Sequence, residues 1–176
     1  VLFDPFLSRQ EFVVDGAWFR QRELGQGDRE YGFDLGAGES IATRRGALFA
    51  RGNVHYQLRL IGGDHFVLRL GQYAYDAGLV LGPVEAFARV GVTLFDIHAG
   101  DDGFGLGFLS PRSGLGISFQ VGDIRASVLG FHELQWRWAG GPSANTSGLV
   151  FEIGFGSAPR GLPPRYRLAS TSGDHL

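Results

Sequence analysis

The groups in this chain that could do chemistry are histidine, serine, carboxylate and arginine side chains, because cysteine and lysine are both absent. Their absence removes thiolate metal sites, cysteine nucleophiles, disulfides, a lysine Schiff base and the lysine of a phosphate-binding loop. Histidines stand at His55, His65, His98, His132 and His175. Acyl hydrolysis or transfer needs a His, a Ser and a carboxylate that converge. His132 has Glu133 beside it, but Ser127 falls in the opposite parity of the chain, so no triad assembles locally. The stretch Asp96-Ile-His98-Ala-Gly-Asp101-Asp102 offers oxygen and nitrogen ligands, yet it lacks the spacing of a helix–loop–helix calcium site, and Asp and Gly at a strand end make a turn. Gly103-Phe-Gly-Leu-Gly107 has no strand–turn–helix context and is no dinucleotide fingerprint. No catalytic residue, cofactor or metal site is expected.

The elements that carry these residues are strands. From Leu48 to Leu60, Leu48, Ala50, Gly52, Val54, Tyr56, Leu58 and Leu60 alternate with Phe49, Arg51, Asn53, His55, Gln57 and Arg59. A helix would scatter those charges around its circumference; period-two alternation with unlike faces is a strand. The pattern returns near 30–38, 84–98 and 148–156, and on both sides of a tight turn at Gly122-Asp123. Segments near 11–22 and 65–76 are less regular. Within 103–122, Phe104, Leu106 and Phe108 alternate in the wrong parity to continue into Leu115, and Pro111 interrupts them. A bulged strand, a loop or an extra short strand would each account for that. The fold class is therefore all-β, a single antiparallel up-and-down barrel over 1–156 with strands near 11–22, 30–38, 47–61, 65–76, 84–98, 103–122, 124–138 and 148–156. Residues 157–176 lose the alternation and read as an extended tail, since proline cannot donate to a ladder.

The chain has 176 residues, enough for one domain, and a net charge of −2 that argues against a nucleic-acid partner. No apolar run approaches the roughly 18 residues of a membrane-spanning helix. Strands of roughly 9–11 residues do cross a bilayer, whereas globular strands average about 5–6. The polar face decides which side is wet. It holds Arg, sparse carboxylates and small residues, a set suited to a crowded lumen whose charges neutralise one another. The expected lumen network is Arg51, Arg59, Glu85, Arg89, Arg125, Glu133, Arg137 and Glu152. Trp18, Trp136 and Trp138 stand near strand ends, as an aromatic girdle at the lipid boundary would place them.

In pattern and size, residues 10–156 resemble the small eight-stranded outer-membrane barrels of diderm bacteria, of the OmpA transmembrane-domain, OmpX and OmpW types. The closing segment Gly148-Leu-Val-Phe-Glu-Ile-Gly-Phe155 is similar to the terminal strand such barrels present to the assembly machinery, although this chain continues beyond Phe155. The resemblance implies an outer-membrane location, the lipid bilayer as partner, and a non-enzymatic role as a membrane anchor or subunit of an envelope assembly. A removed signal peptide or a trimmed initiator would each explain the start at Val1, and the resemblance implies the first. In the tail, Pro163 and Pro164 stiffen the chain while Arg160, Arg165, Tyr166 and Arg167 offer binding groups for another envelope protein. Two other readings stay open at this point: a soluble calycin-like barrel around an apolar ligand, and a barrel enzyme that modifies lipid A.

Overall fold

In a computed structural model, residues 9–23, 29–62, 65–100, 103–135, 137–139 and 144–157 are described. They form β1 (Arg9–Glu23), β2 (Arg29–Arg45), β3 (Leu48–Ile61), β4 (His65–Leu81), β5 (Val84–Gly100), β6 (Gly103–Val121), β7 (Ile124–Gln135), β8 (Arg137–Ala139) and β9 (Ala144–Ser157). Every pairing is antiparallel, β1 to β7 pair consecutively, β7 pairs on with β9, and β1 closes on β9. Because β7 and the short β8 both pair with β6, they act as one stave, and the barrel has eight.

The register fixes the shape. A row of paired residues runs from Gln10 through Ile41, Gly52, Tyr75, Val90, Ser113, His132 and Ser147 to Arg20, so one circuit climbs ten residues along β1. With ordinary strand spacing, that stagger inclines the strands by about 40° to the barrel axis. The interior of such a barrel is just wide enough to be filled by side chains.

Both described termini, Arg9 and Ser157, lie at one end. The hairpins of that end are two-residue turns, Gly46-Ala47, Gly82-Pro83 and Gly122-Asp123. Each opens on a glycine in the left-handed region, with φ of 63°, 66° and 57°. Tight hairpins demand positive φ there, which a Cβ would penalise.

Besides β9, which begins at Ala144 rather than near 148, three strands run differently from their sequence pattern. β2 continues to Arg45 rather than ending near 38, with Ser40 buried and Ile41 exposed in unbroken alternation. Hydrophobicity hides this continuation because Glu39 falls on the otherwise apolar face. β4 runs on to Leu81 rather than 76, and β6 is continuous through Pro111. Both are irregular in sequence for the same reason. Buried positions pass from Arg69 to Gln72 in β4, from Thr93 to Asp96 in β5 and from Gly107 to Ser110 in β6. Each strand thus changes parity where it meets its neighbour, as a crease across the wall. Gly71 (φ 67°) and Leu109 (φ 55°) mark it in β4 and β6. The β4 shift is absorbed against β3 by an irregularity between His55 and Gln57.

Leu109 holds a conformation that β-branched residues strongly resist. Leu109→Ile is expected to cost about 1–2 kcal/mol in urea unfolding of the folded barrel. The same change at Leu115, also exposed but in extended strand, is the control and is expected to be near neutral. Equal costs at the two sites would remove the role assigned to the crease.

Candidate functional site

The interior is charged from end to end. Near the termini, Arg125 donates to Glu11 at 2.7 Å and also to Ser127, while Arg9 pairs with Glu11 at 2.8 Å. Arg89 forks onto Asp76 at 2.6 and 3.0 Å and reaches Glu152 with its other edge. Arg51 spans Glu85 at 2.6 Å and Asp76 at 3.4 Å, and Ser118 donates to Glu85. At the other end, Arg59 holds Asp34 through two bonds of 2.8 Å and Glu133 through one of 3.2 Å. Arg69 donates to Glu133 and, at 3.0 Å, to Asp96, which also accepts from Ser110. Between the two clusters, Asp15 binds His55 Nδ1 at 2.8 Å and accepts from Gln57 at 2.6 Å, and Gln72 donates to Gln57.

Aromatic rings line the gaps. Arg59 lies 4.2 Å from the centroid of Phe19 and Arg112 lies 3.7 Å from that of Phe131. Desolvated guanidinium–ring contacts of this kind contribute about 2 kcal/mol. Space for these long side chains comes from glycines on the same inner face. A Cβ at Gly36 would stand 2.7 Å from the Asp15 carboxylate, and one at Gly154 would stand 2.8 Å from that of Glu11. A space of about 20 Å³ bordered by His55, Gln57, Gln72, Arg89, Arg112 and Glu152 lies between the clusters, the scale of a single water.

Among the expected network, Arg51, Arg59, Arg89, Arg125, Glu133 and Glu152 are buried inside the barrel and ion-paired, and Glu85 sits half-buried toward the terminal end. The side chain of Arg137 lies outside the described residues, as do Trp136, the side chain of Trp138 and the tail beyond Ser157. Trp18 is 53 % exposed on the outer wall, stacked on Tyr31 with ring centroids 5.6 Å apart.

Sequence reasoning left Glu11, Asp15, Asp34, Arg69, Asp76 and Arg112 out of the network and placed Asp96 in a turn. Arg69 and Asp96 lie beyond the crease, in the parity that a simple alternation assigns to the outside. Asp34 was visible on the polar face between glycines, and its spacing opposite Arg59 in the β2–β3 register is the signal that could have found it. Asp96 is a strand residue held by Arg69 rather than a turn acid. His132, on the outer wall, is bonded through Nδ1 to Ser147 at 3.0 Å, while Glu133 beside it points inward to Arg59 and Arg69.

The outer wall is apolar. Leu58, Leu60, Leu115, Ile117, Phe119, Phe151 and Ile153 are all at least 40 % exposed. The chain thus has the fold of the small eight-stranded outer-membrane barrels, with charge within and hydrocarbon without. The crystal structure of Neisserial surface protein A (NspA) superposes with a TM-score of 0.58 at 12 % identity, covering 83 % of this chain and 96 % of that one. Ail, the attachment invasion locus protein of Yersinia pestis, also 12 % identical, covers 85 % of this chain and 99 % of its own, but superposes too loosely (TM-score 0.31) to bear on the fold. No family model matches the chain, and no curated protein matches it.

Removing one partner of a buried ion pair strands the other charge, at a cost of about 3–5 kcal/mol. Glu133→Ala, which deprives both Arg59 and Arg69, is expected to destabilise the barrel by that amount in urea unfolding. Glu85→Ala, at the wetter end where Arg51 keeps Asp76, is expected to cost less than about 1 kcal/mol. Equal, small losses would mean that the cluster around Glu133 is hydrated and loosely held.

Proposed function

We propose that the protein is an integral outer-membrane β-barrel, closed inside by its arginine–carboxylate network, that serves as a membrane anchor or as a subunit of a cell-envelope assembly. The observation that carries this reading is the inverted distribution of side chains. Arg51, Arg59, Arg69 and Arg125 are among the most deeply buried large side chains of the molecule, while most of the large apolar side chains face out and a smaller set, Phe19, Phe49, Phe87, Leu129 and Phe131 among them, packs inside. In water that arrangement would expose a broad apolar surface and bury a dozen charged side chains, against both the hydrophobic effect and the cost of desolvation. In a bilayer it is the expected one, since lipid satisfies the wall and a closed barrel leaves no unpaired backbone edge. A calycin-like role would require an apolar interior with room for a ligand. Here ion pairs are interleaved with buried aromatic and aliphatic side chains, and the space left between the clusters is about 20 Å³, too small for such a ligand.

The orientation follows from the ends. The tight two-residue hairpins and both described termini belong to the periplasmic side, as in barrels with short inner turns. Trp18 and Tyr31 belong to the outer boundary. The tail after Ser157 would then enter the periplasm, where Arg160, Pro163, Pro164, Arg165, Tyr166 and Arg167 are the groups for docking an envelope partner.

The membrane reading is tested by fractionation and by gel migration before and after boiling. The chain is expected in the detergent-extractable outer-membrane fraction, with a folded band that shifts on heating. Recovery in the soluble fraction without any heat-dependent shift would overturn it. Deleting residues 158–176 is expected to leave the folded band intact and to remove co-purifying envelope proteins. An unchanged set of partners would exclude docking by the tail.

A further inference from the structure

Among the described residues, a charged side chain stands on the outer wall where hydrocarbon is expected. Glu39 is exposed on β2 between Ala37 and Ile41, roughly 15 Å up the barrel axis from the Gly46-Ala47 hairpin. An apolar band is about 25 Å tall, so this places the acid near its middle. Among the described residues, no side chain is bonded to Glu39. An ionisable group at membrane depth is costly to leave without a partner. Acyl chains offer none.

What flanks Glu39 is complementary in shape. Along its row, Phe12 of β1 lies on one side and Val54 of β3, then Tyr73 of β4, on the other. Phe12 is 52 % exposed and stands out from the wall. On the opposite side the small residues Gly52, Val54 and Ala74 floor a groove of about 680 Å³ whose walls include Glu39, Ile41 and Tyr73. Neighbouring strands are about 5 Å apart, so the ridge and the groove sit at nearly equal distances to either side of the acid.

We propose that two copies of this chain pack together about a two-fold axis parallel to the barrel axis and passing by Glu39. Such an axis preserves depth in the membrane. It therefore brings Glu39 against the partner's Glu39, and it sets Phe12 opposite the partner's groove while the partner's Phe12 enters this one. Each carboxyl thereby gains across the axis the hydrogen-bonding partner that acyl chains do not offer. An isologous contact requires this self-complementarity, a knob and a hole on opposite sides of the axis. A single polar pair in an apolar interface then fixes register, while the packing of small residues against a large one provides the close approach. The inference deepens the membrane reading and depends on it, since in water an exposed glutamate is ordinary.

The test measures self-association of the full chain in lipid vesicles, by energy transfer between labelled copies as the protein-to-lipid ratio is varied, with heat-dependent gel migration recorded in parallel. Wild type is expected to dimerise. Glu39→Ala is expected to weaken association about tenfold, the worth of one intramembrane hydrogen bond, and Glu39→Gln to retain most of it through an amide pair. Phe12→Ala and Gly52→Leu, which remove the knob and fill the hole, are each expected to abolish it. All four variants should keep the folded, heat-shifting band, because the altered side chains face outward. A heat-shifting wild type that stays monomeric at every ratio, its groove covered by lipid alone, overturns the dimer and leaves the membrane reading standing. So does a dimer indifferent to Glu39→Ala, Phe12→Ala and Gly52→Leu together. A wild type that fails to integrate into vesicles at all overturns the membrane reading first, and the dimer with it.

Discussion

Every charge enclosed by a barrel this narrow has to find its counter-charge inside the same cylinder. That constraint governs the side-chain chemistry throughout. Arg59 bridges Asp34 and Glu133, Arg69 bridges Asp96 and Glu133, and Arg89 bridges Asp76 and Glu152. Each bridge uses two edges of one planar guanidinium. Lysine, a point charge on a flexible stem, could neutralise one carboxylate but could not hold two in fixed directions. A chain whose basic residues are all arginine suits a lumen built in this way. The glycines answer the same need from the opposite side. Where Asp15 or Glu11 leans across the interior, the facing position has no Cβ to obstruct it.

The balance of charge is met level by level rather than only in total. Toward the termini, Arg9, Arg51, Arg89 and Arg125 face Glu11, Asp76, Glu85 and Glu152. Toward the other end, Arg59, Arg69 and Arg112 lie with Asp34, Asp96 and Glu133. Asp15 and His55 occupy the interval, bonded to one another and to amides. Neutral layers matter because interactions along the axis are poorly screened where water is scarce. An excess of one sign at one level would have to be offset through low-dielectric material.

How legible all this was in the sequence depended on strand regularity. β3 and β7 keep one parity from end to end, so Arg51, Arg59, Arg125 and Glu133 could be placed by alternation alone. β4, β5 and β6 change parity at the crease, and the residues beyond it were misread or passed over for that reason. The change is coordinated: Arg69 and Asp96 both turn inward above the crease and bind each other at 3.0 Å. Had only one strand shifted, a charge would have been left facing out without its partner. Leu109, left-handed without being glycine, gives no such warning in a one-letter string. Glu39 was lost for a different reason. Its position follows strict alternation, but its chemistry does not, and a pattern read through hydrophobicity ends where chemistry departs from it.

A lumen this full also restricts where function can lie. The space left between the two clusters is the size of a water molecule, and every described carboxylate that borders it is committed to an arginine. Opening a path would require several of these pairs to separate together, each leaving buried charge behind. Among the described residues, surface for specific contacts with other molecules is therefore left on the outer wall and the two rims. On the wall, apolar side chains predominate, so only departures from that rule can discriminate one neighbour from another. A carboxyl at mid-depth is such a departure, and a hollow floored by glycine and alanine beside it is a second. Neither contributes to closing the barrel. The ion-paired lumen therefore accounts for the buried arginines, whereas the irregular patch on the outer wall is a feature that closing the barrel does not explain.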